Sequence, residues 1–270
     1  MSTFSQSTSY TSPKKKGWLL FVGFSLRCLW GIFTGCPQHT SKTLHIFAAS
    51  SLTESFRALK QAFEKTHPTI HVSLTFAGSQ VLRLQLEQGA YAHLFASANQ
   101  THIQRLKRSG HVTKTHIFAN NTLALIVPSS NPANIKTFED LPRARRLVVG
   151  TKHVPIGMYT ERLFKRATHQ YGPNFGKQVH TRIISREKNV RLVRAKIAMR
   201  VADAAIVYHT DTLNQAGIQT IPIPKTLNVK AIYEIAQLKR APTYTKQWLQ
   251  FIVSPSGRDI LKRYGFGVSE

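Results

Sequence analysis

From Thr43 onward the chain alternates short apolar runs with amphipathic stretches. The runs TLHIFAA, IHVSLTF, AHLFASA, TLALIVP, RLVVG, AAIVYH, IQTIPIP and KAIYEIAQL read as strands. Between the first two, SLTESFRALKQAFEKT places Leu52, Phe56, Leu59 and Phe63 on one helical face. NVRLVRAKIAMRVA does the same with Val190, Val193, Ile197 and Val201, and YTKQWLQFIVS and SGRDILKRYGF predict two closing helices. Strands alternating with helices in this way predict an α/β fold with mainly parallel sheets.

In such sheets the strand-to-helix turns lie at the carboxyl ends of the strands, where helix N-termini offer free N–H donors and a positive dipole. Several turns of this chain carry further donors there. FAASSLTESF puts Ser50 and Ser51 between a strand and a helix, and Glu54, three residues after Ser51, has capping-box spacing. That spacing would let the Ser51 hydroxyl satisfy a free backbone N–H at the start of the helix. FAGSQVL brings Ser79 to the next turn. HVPIGMY places Pro155 in a first helical turn beside Ile156 and Gly157, EKNVRLV opens a helix at Asn189, and AIVYHTD ends a strand on Tyr208. All of these are donors and none is a carboxylate, which suits an oxyanion that only accepts hydrogen bonds.

The first 36 residues follow a different pattern. SPKKKGWLLFVGFSLRCLWGIFTGC sets three lysines before an apolar stretch that ends in small residues and Cys36, the layout of a secretory leader. FTGC resembles a lipoprotein box, with Cys36 as the lipidation candidate; a conventionally cleaved or simply anchored leader is the alternative. Residues 37–43 read as a tether. Both cysteines, Cys28 and Cys36, belong to the leader, so the folded part lacks thiols for a disulfide, a nucleophile or a thiolate metal site.

Charge adds a second theme. The 270 residues contain 37 Lys and Arg against 12 Asp and Glu, a net charge of +25, and only Lys14, Lys15, Lys16 and Arg27 of the basic set precede residue 37. Such a surplus attracts nucleic acid, anionic membranes or small anions. A DNA-reading helix-turn-helix is absent ahead of Leu44, which argues against a specific nucleic-acid partner. Catalysis by Ser50 or Ser51 with His153 as base would want a glycine-flanked elbow, which is missing, and the 12 histidines show no metal-ligand spacing.

FAASSL, VPIGMY, NVR, IVYHTD and LKRYGF, taken in order, resemble the substrate-binding proteins of bacterial molybdate ABC transporters, over about Leu44 to Phe266. The resemblance implies a two-domain periplasmic-binding-protein fold of type II with the ligand in an interdomain cleft. Domain 1 would comprise residues 44–123 plus 225–270, and domain 2 residues 124–224. It implies a monomeric, non-enzymatic carrier without cofactor, at the periplasm or the outer face of a membrane, delivering molybdate or tungstate to an ABC permease. Ser51 and Ser79 would bind the oxyanion from one domain; Ile156 and Val190, through backbone N–H groups, and the Tyr208 hydroxyl would bind it from the other. Another small oxyanion such as sulfate or phosphate, or a DNA-linked anion sensor, is the alternative. The chain departs from the family pattern at His93 and Asn99, where aspartates are common, and at Lys188 and Asn189, where an acidic pair is common.

Overall fold

A computed structural model describes residues 42–268. In chain order they form β1 (Lys42–Ala49), α1 (Thr53–Thr66), β2 (Ile70–Ala77), α2 (Ser79–Glu87), β3 (Leu94–Ser97), α3 (Gln100–Arg108), β4 (Val112–Asn121) and β5 (Leu123–Pro128). Then follow β6 (Leu147–Gly150), α4 (Pro155–Tyr171), α5 (Pro173–Thr181), β7 (Ile183–Glu187), α6 (Val190–Ala198), β8 (Ala204–Tyr208), β9 (Ile218–Ile221), β10 (Ala231–Leu238), α7 (Thr245–Val253) and α8 (Pro255–Arg263).

The strands make two five-stranded sheets, ordered β2-β1-β3-β10-β4 and β7-β6-β8-β5-β9. Each is mixed. β1 runs parallel to β2 and β3, and β6 runs parallel to β7 and β8. The strands that enter from the opposite sheet, β10 and β5, run antiparallel to their neighbours. The chain passes between sheets twice, through the single residue Thr122 between β4 and β5 and through the segment between β9 and β10. Asn228 ties these crossings together, accepting from the Leu123 N–H and donating to the Leu123 carbonyl, both at 2.9 Å. The residues packed on each sheet are termed lobe 1 and lobe 2 below.

The apolar spacing of the sequence becomes core. Phe56, Leu59 and Phe63 of α1 are fully buried, and Phe56 and Phe63 meet Trp248 of α7 at ring separations of 6.0 and 5.2 Å. Leu52, placed on the α1 face by its spacing, is buried in a 3-10 turn (Ser50–Leu52) ahead of that helix. Val201 departs from its expected place on α6. The helix ends at Ala198, Arg200 takes a left-handed φ of 57°, and Val201 is left exposed.

Trp248 is the largest fully buried side chain among the described residues and joins α7 to the α1 face. Replacing it leaves a cavity that surrounding rings cannot fill, so Trp248→Ala is expected to cost about 3–5 kcal/mol of unfolding free energy. Denaturant unfolding of the leaderless chain measures this as a lower midpoint.

Candidate functional site

Lobe 1 meets lobe 2 where helices begin. Ala49, Ser50, Ser51, Gly78, Ser79 and Ala98 of lobe 1 face Val154, Pro155, Ile156, Val190 and Tyr208 of lobe 2 around one small cavity. All five residues singled out from the sequence, Ser51, Ser79, Ile156, Val190 and Tyr208, line this one space. Cys36 lies outside the described residues.

Each of the five presents a donor for a local reason. Ser79 is the first residue of α2, and its Oγ accepts from the Ala98 N–H at 3.2 Å, with no acceptor for its own proton among the described residues. Ile156 follows Pro155 at the start of α4, within the first turn, where N–H groups lack intrahelical acceptors. Gly157 lets that turn sit against β6, since a Cβ there would lie 1.9 Å from the Thr151 carbonyl oxygen. Val190 opens α6 behind Asn189, whose side chain caps the helix by accepting from Leu192 N–H at 3.0 Å and leaves Val190 N–H free. Tyr208 ends β8 with 1% exposure, and its buried hydroxyl has no partner among the described residues.

Ser51 differs from expectation in one respect: it is not a cap. A 3-10 turn precedes α1, so Ser51 sits within that turn rather than at the helix boundary, and no side chain caps α1. Its Oγ instead accepts from the Tyr233 hydroxyl of β10 at 3.0 Å. Glu54, the supposed capping partner, reaches across the lobes to Arg191 at 2.6 Å. Burial pushes Glu54 up, but the Arg191 hydrogen bond and charge outweigh this and hold its carboxyl below the usual range.

Apart from the Tyr208 phenol, no ionisable side chain lines the cavity. Burial, reinforced by Tyr233, Tyr159 and Asp211, pushes the Tyr208 hydroxyl well above its ordinary value and keeps it a proton donor. Behind it the buried Asp211 accepts from the Tyr208 backbone N–H at 3.3 Å. Burial drives this carboxyl up to about 7, with Arg194 and the Tyr208 N–H drawing it back only in part. Around the cavity, lobe 1 also bonds to lobe 2 through Gln80 to the Lys188 carbonyl at 2.7 Å and through His102 Nε2 to the His153 carbonyl at 3.1 Å.

Of the positions that break the family pattern, Asn99, Lys188 and Asn189 adjoin the lining in sequence or contact, whereas His93 stands at the opposite, amino end of β3. His93 is buried under β1, its Nδ1 accepting from His45 N–H at 3.1 Å, and burial lowers its pKa. Asn99 caps α3 by accepting from His102 N–H at 3.3 Å. Lys188 contributes its carbonyl and Asn189 its cap. Tyr233, Asp211 and Gln80 had no signal in the sequence as functional residues: Tyr233 sits in an apolar strand run that reads only as core, and the roles of Asp211 and Gln80 appear only in their contacts with the Tyr208 N–H and the Lys188 carbonyl. Among the described residues no three His, Cys, Asp or Glu side chains come together as a metal site.

The model of bacterial extracellular solute-binding proteins matches residues 44–267. The chain belongs to that family. Its members are non-enzymatic substrate-binding proteins of ABC transporters. A relative from Mycobacterium tuberculosis (strain H37Rv), the molybdate-binding protein ModA, is 33% identical over 238 residues, covering 85% of this chain and 86% of the relative. The Escherichia coli K12 protein of that name is 26% identical over 236 residues, covering 83% and 88%. Among solved structures, the periplasmic molybdate-binding protein of Azotobacter vinelandii superposes with a TM-score of 0.72 at 17% identity, covering 84% of this chain and all of that one. The sulfate-binding protein SubI of M. tuberculosis superposes at 0.76 with 16% identity, covering 85% and 88%. At these identities the likeness is one of fold, that of the type II periplasmic binding proteins.

The buried carboxyl gives this solute-binding protein a testable pH dependence. Asp211 keeps its proton to about pH 7 when folded but loses it near its ordinary 3.8 when unfolded. The folded state therefore binds the extra proton between those values, and this group's contribution to stability falls as pH rises from about 4 to about 7. Asp211→Asn, which preserves the acceptor for Tyr208 N–H, is expected to match the parent near pH 4 and to exceed it in melting temperature above pH 7. Thermal melts across that range are the check; parallel curves would place Asp211 ionised in the folded protein.

Proposed function

We propose that this solute-binding protein captures molybdate or tungstate in the cavity between its lobes and delivers it to an ABC permease. The observation that carries the reading is the donor set. Five donors from five separate turns surround one small space, and the two serine oxygens there already accept bonds from Tyr233 and from Ala98 N–H. Their protons remain for the ligand, as does that of Tyr208.

A fully deprotonated tetrahedral dianion fits such a lining, because it needs donors and brings none. Hydrogen bonds to a charged group contribute roughly 1.5–3 kcal/mol each, and several exceed the ~8 kcal/mol that micromolar binding requires. Phosphate near neutral pH can carry a proton that would find no free acceptor, and sulfate is smaller than molybdate. The relatives named for molybdate at 33% and 26% identity support the same ligand class.

The domains of this reading are residues 44–123 with 225–270 and residues 124–224, moving about the two crossings that Asn228 joins. Export by the leader, with Cys36 as the lipid attachment point, would hold the protein at the outer face of a membrane as a monomer. A curated relative from Bacillus subtilis, 24% identical over 248 residues, carries the description of a substrate-binding lipoprotein and supports this placement.

Calorimetric titration of the leaderless chain with molybdate, tungstate, sulfate and phosphate tests the proposal. The first two are expected to bind tightly and the last two weakly; indifference to molybdate and tungstate would overturn it. Tyr208→Phe separates function from fold. Its hydroxyl has no hydrogen-bond partner among the described residues, so its loss is expected to weaken molybdate about ten- to a hundredfold while the melting temperature of the free protein does not fall. In the intact chain, Cys36→Ala is expected to abolish metabolic labelling by fatty acid, and persistent labelling would remove Cys36 as the attachment point.

A further inference from the structure

Gly78, the residue between β2 and α2, has φ −61° and ψ 138°, a backbone conformation open to any residue. Neither strand nor helix requires glycine here. The requirement comes from the other lobe, because a Cβ at this position would lie 2.5 Å from the backbone carbonyl oxygen of Lys188. It would also lie 2.6 and 2.7 Å from the amide atoms of Gln80, but a side-chain end can swing aside whereas a carbonyl moves only with its backbone.

The same oxygen is held from lobe 1 by the Gln80 side chain, which donates to it through Nε2 at 2.7 Å and is 9% exposed. Gly78 and Gln80 flank Ser79, and Lys188 stands two residues before Val190. The contact therefore joins the backbone around one donor of lobe 1 to the backbone leading into one donor of lobe 2. Any added bulk at residue 78 pushes the Lys188 carbonyl outward, and Val190 N–H goes with it.

From this we infer a closure latch, resting on the oxyanion reading above: Gly78 and Gln80 are positioning residues that grip the Lys188 carbonyl and set how long the cavity stays shut around its ligand. Gly78 admits the carbonyl, and Gln80 bonds it once it has arrived. The latch lies between neutral groups, so its strength is insensitive to salt, unlike the more exposed Glu54–Arg191 pair nearby.

The test compares the leaderless parent with Gly78→Ala, Gln80→Ala and the double variant. It uses molybdate and tungstate titration, stopped-flow release, small-angle scattering with and without anion, and melting without anion. Gly78→Ala is expected to lose about ten- to a hundredfold in affinity, as overpacking a close contact does, mainly through faster release. Its scattering at saturating anion should fail to contract as the parent's does. Gln80→Ala should release the anion a few-fold faster and still contract. The double variant should stay as weak as Gly78→Ala, because the obstacle is the Lys188 backbone and not the glutamine. Melting without anion should be unchanged in all three, since a merely local role in lobe 1 would lower it. Binding and contraction of Gly78→Ala equal to the parent's, or a lowered melting temperature without anion, would overturn the latch. A parent that binds neither anion would overturn the oxyanion reading instead.

Discussion

An α-helix begins with N–H groups that its own turns cannot satisfy, and this chain collects several such beginnings in one place. The turns before α1, α2, α4 and α6 all open on the cavity shared by the lobes. Water or an anion can complete N–H groups there, and an apolar solute cannot. The surrounding structure follows from this demand. The parallel strands β1, β3, β6 and β8 bring their carboxyl ends together, and the antiparallel β5 and β10 carry the chain across without closing the space.

Polarity within the cavity is set one layer further out. A hydroxyl can give or take, and what lies behind it decides which. Tyr233 donates to Ser51 Oγ and Ala98 N–H donates to Ser79 Oγ, so both serines turn their protons inward. The Tyr208 hydroxyl has no hydrogen-bond partner among the described residues, and burial keeps its proton in place. A buried unpaired hydroxyl is costly in a folded protein, of the order of 1–3 kcal/mol, and a ligand that accepted its proton would remove that cost.

The turns were legible in the sequence because each combined a breaker or small residue with a donor at the end of an apolar run, as in Gly78-Ser79 and Pro155-Ile156. The core was legible for the same reason that it packs: Phe56, Leu59 and Phe63 share a helical face. Elements at the margins gave weaker signals. β4 and β7 are edge strands with many exposed positions, and α3 buries only Ile103, Leu106 and His102 in an otherwise polar stretch. The Ser51 cap was misread because S-x-x-E spacing cannot reveal a 3-10 turn, nor that Glu54 finds Arg191, 137 positions away, a better partner. Tyr233 and Gln80 escaped notice for a related reason, since their roles depend on contacts 182 and 108 residues distant along the chain.

The basic surplus and the uncharged cavity divide two tasks. A guanidinium or ammonium group inside a space of this size would have to be desolvated with every closure, and it would hold any anion of sufficient charge regardless of shape. Neutral donors fixed on backbone discriminate by geometry and by protonation state, because each must meet an oxygen that lacks a proton. Positive charge at the surface acts before contact, raising the local anion concentration and the encounter rate, and it is weakened by salt while the buried hydrogen bonds are not. Arg191 and Arg194 on α6 stand at this boundary: near enough to the cavity to contribute field, yet outside its lining, with Arg191 engaged by Glu54. On the proposed function, capture would respond to ionic strength while selectivity would rest with the five donors, whose positions are held by helix starts and by the hydrogen bonds behind them.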